Sequence, residues 1–227
     1  MSLSKKMVAI FIGPPGSGKG TQADLLVEKF GLVHLESSKV IENKFKTGDP
    51  NDPVIAREKE LWESGELNTP ELVREWMLEA IRTLHAKGVG IVLSGSPRTL
   101  FEAEGEMPVF EELYGKANVI PIHLNLTKEE SIKRNSGRRI CEAQRHPIPD
   151  FPIFKDITTC PKDGSPLVRR GLDTPETIGI RYEVYLRRTQ PILSFLKERQ
   201  YDIIEIEGEQ DIVKVCEDIM KGFGEND

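Results

Sequence analysis

The chain has 227 residues, 38% hydrophobic and 30% charged, with a formal net charge of −6. That mixture suits one sizeable globular domain and excludes collagen-like, low-complexity and wholly disordered chains. The acidic balance speaks against a general nucleic-acid binder, so any anionic ligand must be held by a local cluster of cations. The longest apolar runs, residues 7–12 and 89–93, have strand length and fall far short of the ~18 residues of a membrane helix. Three cysteines, Cys141, Cys160 and Cys216, are too few for a disulfide framework. No signal-peptide core follows the opening MSLSKK. The expectation is a cytoplasmic monomer with no membrane or nucleic-acid partner.

Residues 7–12 end in glycine and proline and read as a buried strand. Residues 19–30 carry Ala23, Leu26, Val27 and Phe30 at helical spacing. Residues 32–35 form a second short strand. Ser37 opens a helix that breaks over 47–53, and further helices cover 54–64 and 70–86. The latter has Thr69 as its expected N-cap and Pro70 at its first position. Strands follow at 89–93, 119–126 and 201–206, and helical patterns at 128–136, 176–198 and 211–221. Strands alternating with helices predict a doubly wound α/β fold with a five-stranded parallel sheet. Residues 138–171 lack helical period and are too long for an ordinary connection, so they read as an inserted lid.

Gly13-Pro14-Pro15-Gly16-Ser17-Gly18-Lys19 fits the phosphate-loop pattern G-x-x-x-x-G-K, directly after a strand and before a helix. The glycines let the loop curl with its N–H groups inward, and the helix adds its positive end, so phosphate oxygens are bound. Lys19 is placed to bridge two phosphates. Gly20 follows it, and the hydroxyl arrives at Thr21.

Residues 13–22, GPPGSGKGTQ, resemble the P-loop of adenylate kinases and related nucleoside monophosphate kinases. The likeness continues in order: GELNTPELV at 65–73, Gly95-Ser96-Pro97-Arg98-Thr99, Arg134 with Gly137-Arg138-Arg139, and Arg170 and Arg181 eleven apart. The resemblance implies a P-loop NTPase fold in one domain. Its core would comprise 1–35, 68–137 and 172–227, its acceptor-binding flap 36–67 and its lid 138–171. It implies transfer of the γ-phosphate of ATP, with Mg2+, to a nucleoside monophosphate, AMP first. The donor would be held by Pro15, Gly16, Ser17, Gly18, Lys19, Gly20, Thr21, Arg134 and Arg138. The acceptor would be held by Ser37, Lys39, Glu42, Leu67, Asn68, Gly95, Arg98 and Glu102. Lys19, Arg98, Arg138, Arg170 and Arg181 would surround the transferring group, where planar guanidinium forks grip phosphate and offset its charge.

Four departures from the family pattern stand out. Glu36-Ser37-Ser38-Lys39-Val40-Ile41-Glu42 replaces S-T-G-D-x-x-R, placing lysine where aspartate is usual and glutamate where arginine is usual. One reading is that Lys39 now reaches the acceptor phosphate; another is that the two are surface charges. Ser94 stands where an aspartate usually orients magnesium through water. Glu102 stands where glutamine reads adenine, and an ionised carboxylate only accepts, which suits the donors of guanine. Some members hold zinc in the lid with four ligands; Cys141, Cys160 and Asp163 remain, Gln144 fills one position, and His146 could complete the set. GMP as acceptor and a nucleotide-binding regulator without efficient transfer therefore stay open. His34, His85 and His123 have no partner pattern, while Trp62, Trp76 and Cys216 read as packing residues.

Overall fold

The computed structural model describes residues 6–64, 68–143, 146–150, 154–169, 171 and 173–224. Its strands are β1 Val8–Ile12, β2 Val33–Leu35, β3 Ile91–Leu93, β4 Val119–Asn125, β5 Arg139–Cys141, β6 Pro147–Ile148, β7 Leu167–Val168 and β8 Ile204–Glu207. Its helices are α1 Lys19–Phe30, α2 Ser37–Thr47, α3 Pro53–Ser64, α4 Pro70–Ala86, α5 Leu100–Tyr114, α6 Lys128–Gly137, α7 Pro175–Val184, α8 Pro191–Glu198 and α9 Ile212–Gly222. No helix among the described residues is long and apolar enough to cross a membrane.

The main sheet has five strands in the order β2-β3-β1-β4-β8, and every pairing is parallel. The central strand β1 is buried along its whole length, as an apolar run covered on both faces must be. Its alternate side chains serve two cores. Val8, Ile10 and Ile12 pack with Met77, Ile81, Met107 and Phe110, while Met7, Ala9 and Phe11 pack with Ala23, Leu26 and Ile219. The carboxyl ends of β1, β3 and β4 meet where the chain order reverses across the sheet, the usual place for a ligand crevice in such folds.

The structure departs from the expected elements in several places. Helix α5 has no counterpart in the sequence reading, because Gly105, Glu106 and Pro108 interrupt an apolar face of Ala103, Met107, Phe110 and Tyr114. The expected helix over 176–198 divides into α7 and α8 around a π-turn at Tyr185–Thr189. Pro191 has no N–H to continue the ladder, and the Gln190 N–H reaches back to the Tyr185 carbonyl at 2.9 Å. Thr69 is the N-cap residue of α4 but makes no capping bond; its hydroxyl donates to Glu58 Oε1 at 2.5 Å. The lid segment carries its own antiparallel sheet, β6-β5-β7. Trp62 and Trp76 both pack edge-on against Phe45, tying α2, α3 and α4 together as expected of packing residues.

Candidate active site

The loop between β1 and α1 curls because Gly16 and Gly18 take left-handed angles, φ 77° and 93°, that side chains resist. A Cβ on Gly16 would lie 2.4 Å from Asn135 Nδ2, so α6 presses directly on the loop. The same helix donates from Ser131 Oγ to the Pro15 carbonyl at 2.7 Å. Gly18 caps α1 without a side-chain bond, leaving the first N–H groups of the helix for a ligand. Lys19 folds back to donate to the carbonyls of Gly13 and Pro14, each at 2.7 Å.

A cavity of about 420 Å³ lies above the loop. Every expected donor-side position from Pro15 to Thr21 lines it, together with Arg134 and Arg138. Arg98 and Arg181 join them, so one lysine and four arginines face a single space. Lid residues Pro147, Pro149 and Asp150 form one wall. The crowding shows in Lys19: burial first, then Arg98, Arg181 and Arg138, lower its pKa to about 7. Such a space calls for a polyanion.

The cations are held by acids that the sequence reading did not single out. Asp173, buried beside the start of α7, takes Arg138 at both oxygens, 2.9 Å each, and lies 3.5 Å from Arg181 Nη1. Glu130 holds Arg134 Nε at 2.9 Å one helical turn away. Arg98 donates from Nε to the Gly95 carbonyl at 2.7 Å. A carboxylate preceding Thr174 and Pro175, a cap and a first helical position, was the available signal for Asp173. Arg170 lies outside the described residues.

On the acceptor side the residues are more dispersed. Of those described, only Gly95 and Arg98 line the cavity. Ser37 begins α2, and Lys39 pairs with Glu36 rather than with Glu42. Asn68 is buried and donates to the Glu58 carbonyl at 2.7 Å and carboxylate at 2.9 Å, pinning α3 to the entry of α4. Glu102 accepts the Arg98 N–H at 2.6 Å, while its own N–H goes to Thr99 Oγ1 at 3.2 Å, a variant of the capping box at the start of α5. Leu67 lies outside the described residues.

Behind this segment sits Glu106, fully buried, with Oε1 accepting from Ser96 Oγ at 2.6 Å and Oε2 without a hydrogen-bond partner among the described residues. Burial lifts its pKa from 4.5 to about 8. A raised folded pKa means stability that is complete below pH 4.5 and is lost as pH rises through about 8. Glu106→Gln stays neutral throughout. It should unfold with the wild type at pH 5 but resist urea better at pH 9, the gap growing by about 1.4 kcal/mol per pH unit inside that window. Parallel urea midpoints at pH 5, 7 and 9 would refute the assignment.

In the lid, Cys141, His146, Cys160 and Asp163 bring their ligand atoms within 4.8 Å of one another. His146 Nδ1 lies 3.5 Å from each sulfur and 3.2 Å from Asp163 Oδ2, and Asp163 Oδ2 lies 3.4 Å from Cys141 Sγ. These are the four residues expected from the sequence, His146 included. Gln144 lies outside the described residues. Cys216, on α9, packs against the core.

Known proteins resemble the chain over nearly its whole length. The sequence model of the adenylate kinase family matches residues 11–201. An adenylate kinase of Geobacillus sp. (strain WCH70) is 33% identical over 96% of this chain and 99% of its own. That of Bacillus subtilis (strain 168) is 32% identical over 96% and 98%. That of Archaeoglobus fulgidus is 32% identical over 94% and 96%.

Proposed function

The chain belongs to the adenylate kinase family, and on that premise we propose that it transfers the γ-phosphate of ATP to AMP, giving two ADP, with Mg2+. The observation that carries the reading is the meeting of Lys19, Arg98, Arg134, Arg138 and Arg181 around one cavity beside a phosphate loop. A site that only bound a nucleotide would not need guanidinium groups from three separate segments.

The acceptor phosphate is already an anion, so no general base is required. The protein positions two polyanions in line and offsets charge on the transferring group. Backbone N–H groups from Gly16 to Thr21 hold the donor phosphates, and Lys19 leaves its own loop carbonyls to reach them. Arg98 grips the acceptor phosphate, Arg134 flanks the donor base, and Arg138 and Arg181, clamped by Asp173, face the transferring group, with Arg170 as the further lid arginine. Residues 36–67 act as the acceptor flap, with Ser37 and Asn68 at its edges, and 138–171 as the lid. Their closure excludes water that would otherwise take the phosphate. The proposed working form is a monomer. A reducing cytoplasm would keep Cys141 and Cys160 as thiols.

The residues fit a magnesium ion carried in on the nucleotide. Thr21 and Ser94 bring hydroxyl oxygens to the cavity, and magnesium is held mainly by phosphates and water, with few protein ligands. When bound, the ion offsets phosphate charge. The lid cluster fits zinc. Tetrahedral zinc with bonds of ~2.3 Å to sulfur and ~2.0 Å to nitrogen or oxygen requires ligand spacings of about 3.5 Å for S···N and S···O and about 3.3 Å for N···O. The observed spacings are 3.5, 3.4 and 3.2 Å.

Glu102 suits guanine by its chemistry, but its Oε2 is engaged by the Arg98 N–H, which favours AMP over GMP as the acceptor. The test is a coupled assay with ATP and a panel of monophosphates. AMP should exceed GMP by about a hundredfold or more in kcat/KM. Comparable turnover of GMP would overturn the acceptor assignment, and no transfer to any monophosphate would overturn the kinase reading.

A further inference from the structure

Ser94, His34 and Asp24 form a hydrogen-bonded line from the cavity wall to the outside of the sheet. Ser94 follows β3 and lines the cavity. His34, in β2, stands behind it, with Nε2 at 2.7 Å from Ser94 Oγ. Its other nitrogen, Nδ1, is 2.9 Å from Asp24 Oδ1 on α1, and Glu36 Oε1 lies 4.0 Å away. The second oxygen of Asp24 takes the ammonium of Lys162, from the lid, at 2.6 Å. Although burial pushes the Asp24 carboxyl up, hydrogen bonds from His34 and Lys162 bring it down to about 2, so it is a carboxylate.

The partners determine where the hydrogens are. A carboxylate only accepts, so Nδ1 carries an N–H aimed at Asp24, and the tautomer with its single N–H there is the one we assign to His34. Nε2 is then left to accept, and it takes the hydrogen of Ser94. The Ser94 oxygen is thereby committed: its one hydrogen points away from the cavity and its remaining lone pair faces in. Asp150, on the wall it forms with Pro147 and Pro149, is another acceptor among the lining groups. Lys19 and the four arginines only donate. An acceptor-only oxygen repels phosphate oxygens and attracts donors, and the waters around a nucleotide-bound magnesium ion are such donors.

We infer that the Asp24–His34–Ser94 line is a positioning device that presents Ser94 Oγ as a fixed acceptor to the water shell of the nucleotide's magnesium ion. Asp24 orients the imidazole and the imidazole orients the serine hydroxyl, so this acceptor is a neutral oxygen held in one direction. Lys162 seats the lid on the same carboxylate, joining lid position to this acceptor. The inference rests on the kinase reading, because that reading brings the metal.

The test measures binding, not turnover. The affinity of a non-hydrolysable ATP analogue is taken by calorimetry with Mg2+ and with EDTA, and the ratio of the two reports the metal's contribution. In Ser94→Ala and His34→Asn this ratio should fall about tenfold, while the affinity in EDTA stays within about twofold of wild type. The double variant His34→Asn/Ser94→Asp, which supplies an acceptor directly, should recover the ratio. An unchanged ratio in the single variants, or an equal loss with and without metal, would overturn the inference and leave the three residues as packing. Phosphoserine at 94 after incubation with ATP, found by mass spectrometry, would also overturn it, making Ser94 a nucleophile. If the wild type binds the analogue in neither condition, the kinase reading itself fails.

Discussion

Lys19→Met should lower phosphoryl transfer about a thousandfold, the upper range for removing one fixed donor from a charge-developing site. The same change should not destabilise the unliganded protein and should raise its melting temperature. Without nucleotide, Lys19 is a desolvated cation among Arg98, Arg181 and Arg138, which is why its pKa falls to about 7. Removing it relieves like-charge crowding, at the loss of its hydrogen bonds to Gly13 and Pro14. Strain of this kind at a functional site trades stability for activity.

Proton uptake supplies a second readout of the same residue. At pH 8 the unliganded ammonium has largely given up its proton; bound phosphates restore it by raising the pKa. Nucleotide binding at pH 8 should therefore take up about one proton, and at pH 6, where the lysine is already charged, almost none. Calorimetry in buffers of different ionisation heat measures this directly. In Lys19→Met the uptake at pH 8 should vanish. Transfer within tenfold of wild type, or uptake that persists in the variant, would remove Lys19 from the site.

The parts of this molecule legible from sequence are those with a local physical signature. The phosphate loop needs glycines at left-handed angles, a strand before it and a helix after it, and all of that sits within about fifteen residues. In the main sheet, β1 and β3 were legible as apolar runs buried on both faces, while the edge strands β2 and β8 are partly exposed and carry His34 and Glu205 between apolar residues. The arginines were legible only through their likeness to a family, since an arginine carries no local sign of where its guanidinium goes. What holds them was not legible. Asp173 meets Arg138 across 35 positions, and Glu58 meets Asn68 and Thr69 across 10 and 11, with residues 65–67 outside the described set. Helix α5 was hidden for a different reason: Glu106 occupies a core position as a protonated carboxyl, which reads in sequence as a break in the apolar face. His34 was unassigned because its partners Asp24 and Ser94 are 10 and 60 positions away.

The lid shows how a metal would complete a structure too small to hold itself. Its strands β5, β6 and β7 are three, two and two residues long. A sheet of that size has too few cross-strand pairs to be stable alone in water. Cys141 and Cys160 are nonetheless buried within it, and with His146 and Asp163 they match a tetrahedral zinc site in donor type and spacing. The purified protein should therefore carry about one zinc per chain by elemental analysis. Cys160→Ser should carry none after dialysis against a mild chelator. Because metal binding and folding of the cluster are one equilibrium, protease should cut the variant within 138–171 at least about ten times faster than the wild type. A loss of only ~1.4 kcal/mol of local stability already gives that factor. Cleavage in the core should be unchanged, since the two cores flanking the main sheet do not include the lid. A wild type that refolds in zinc without retaining it, and whose lid resists protease as well as the variant's, would show that these four side chains hold the turn together without a metal.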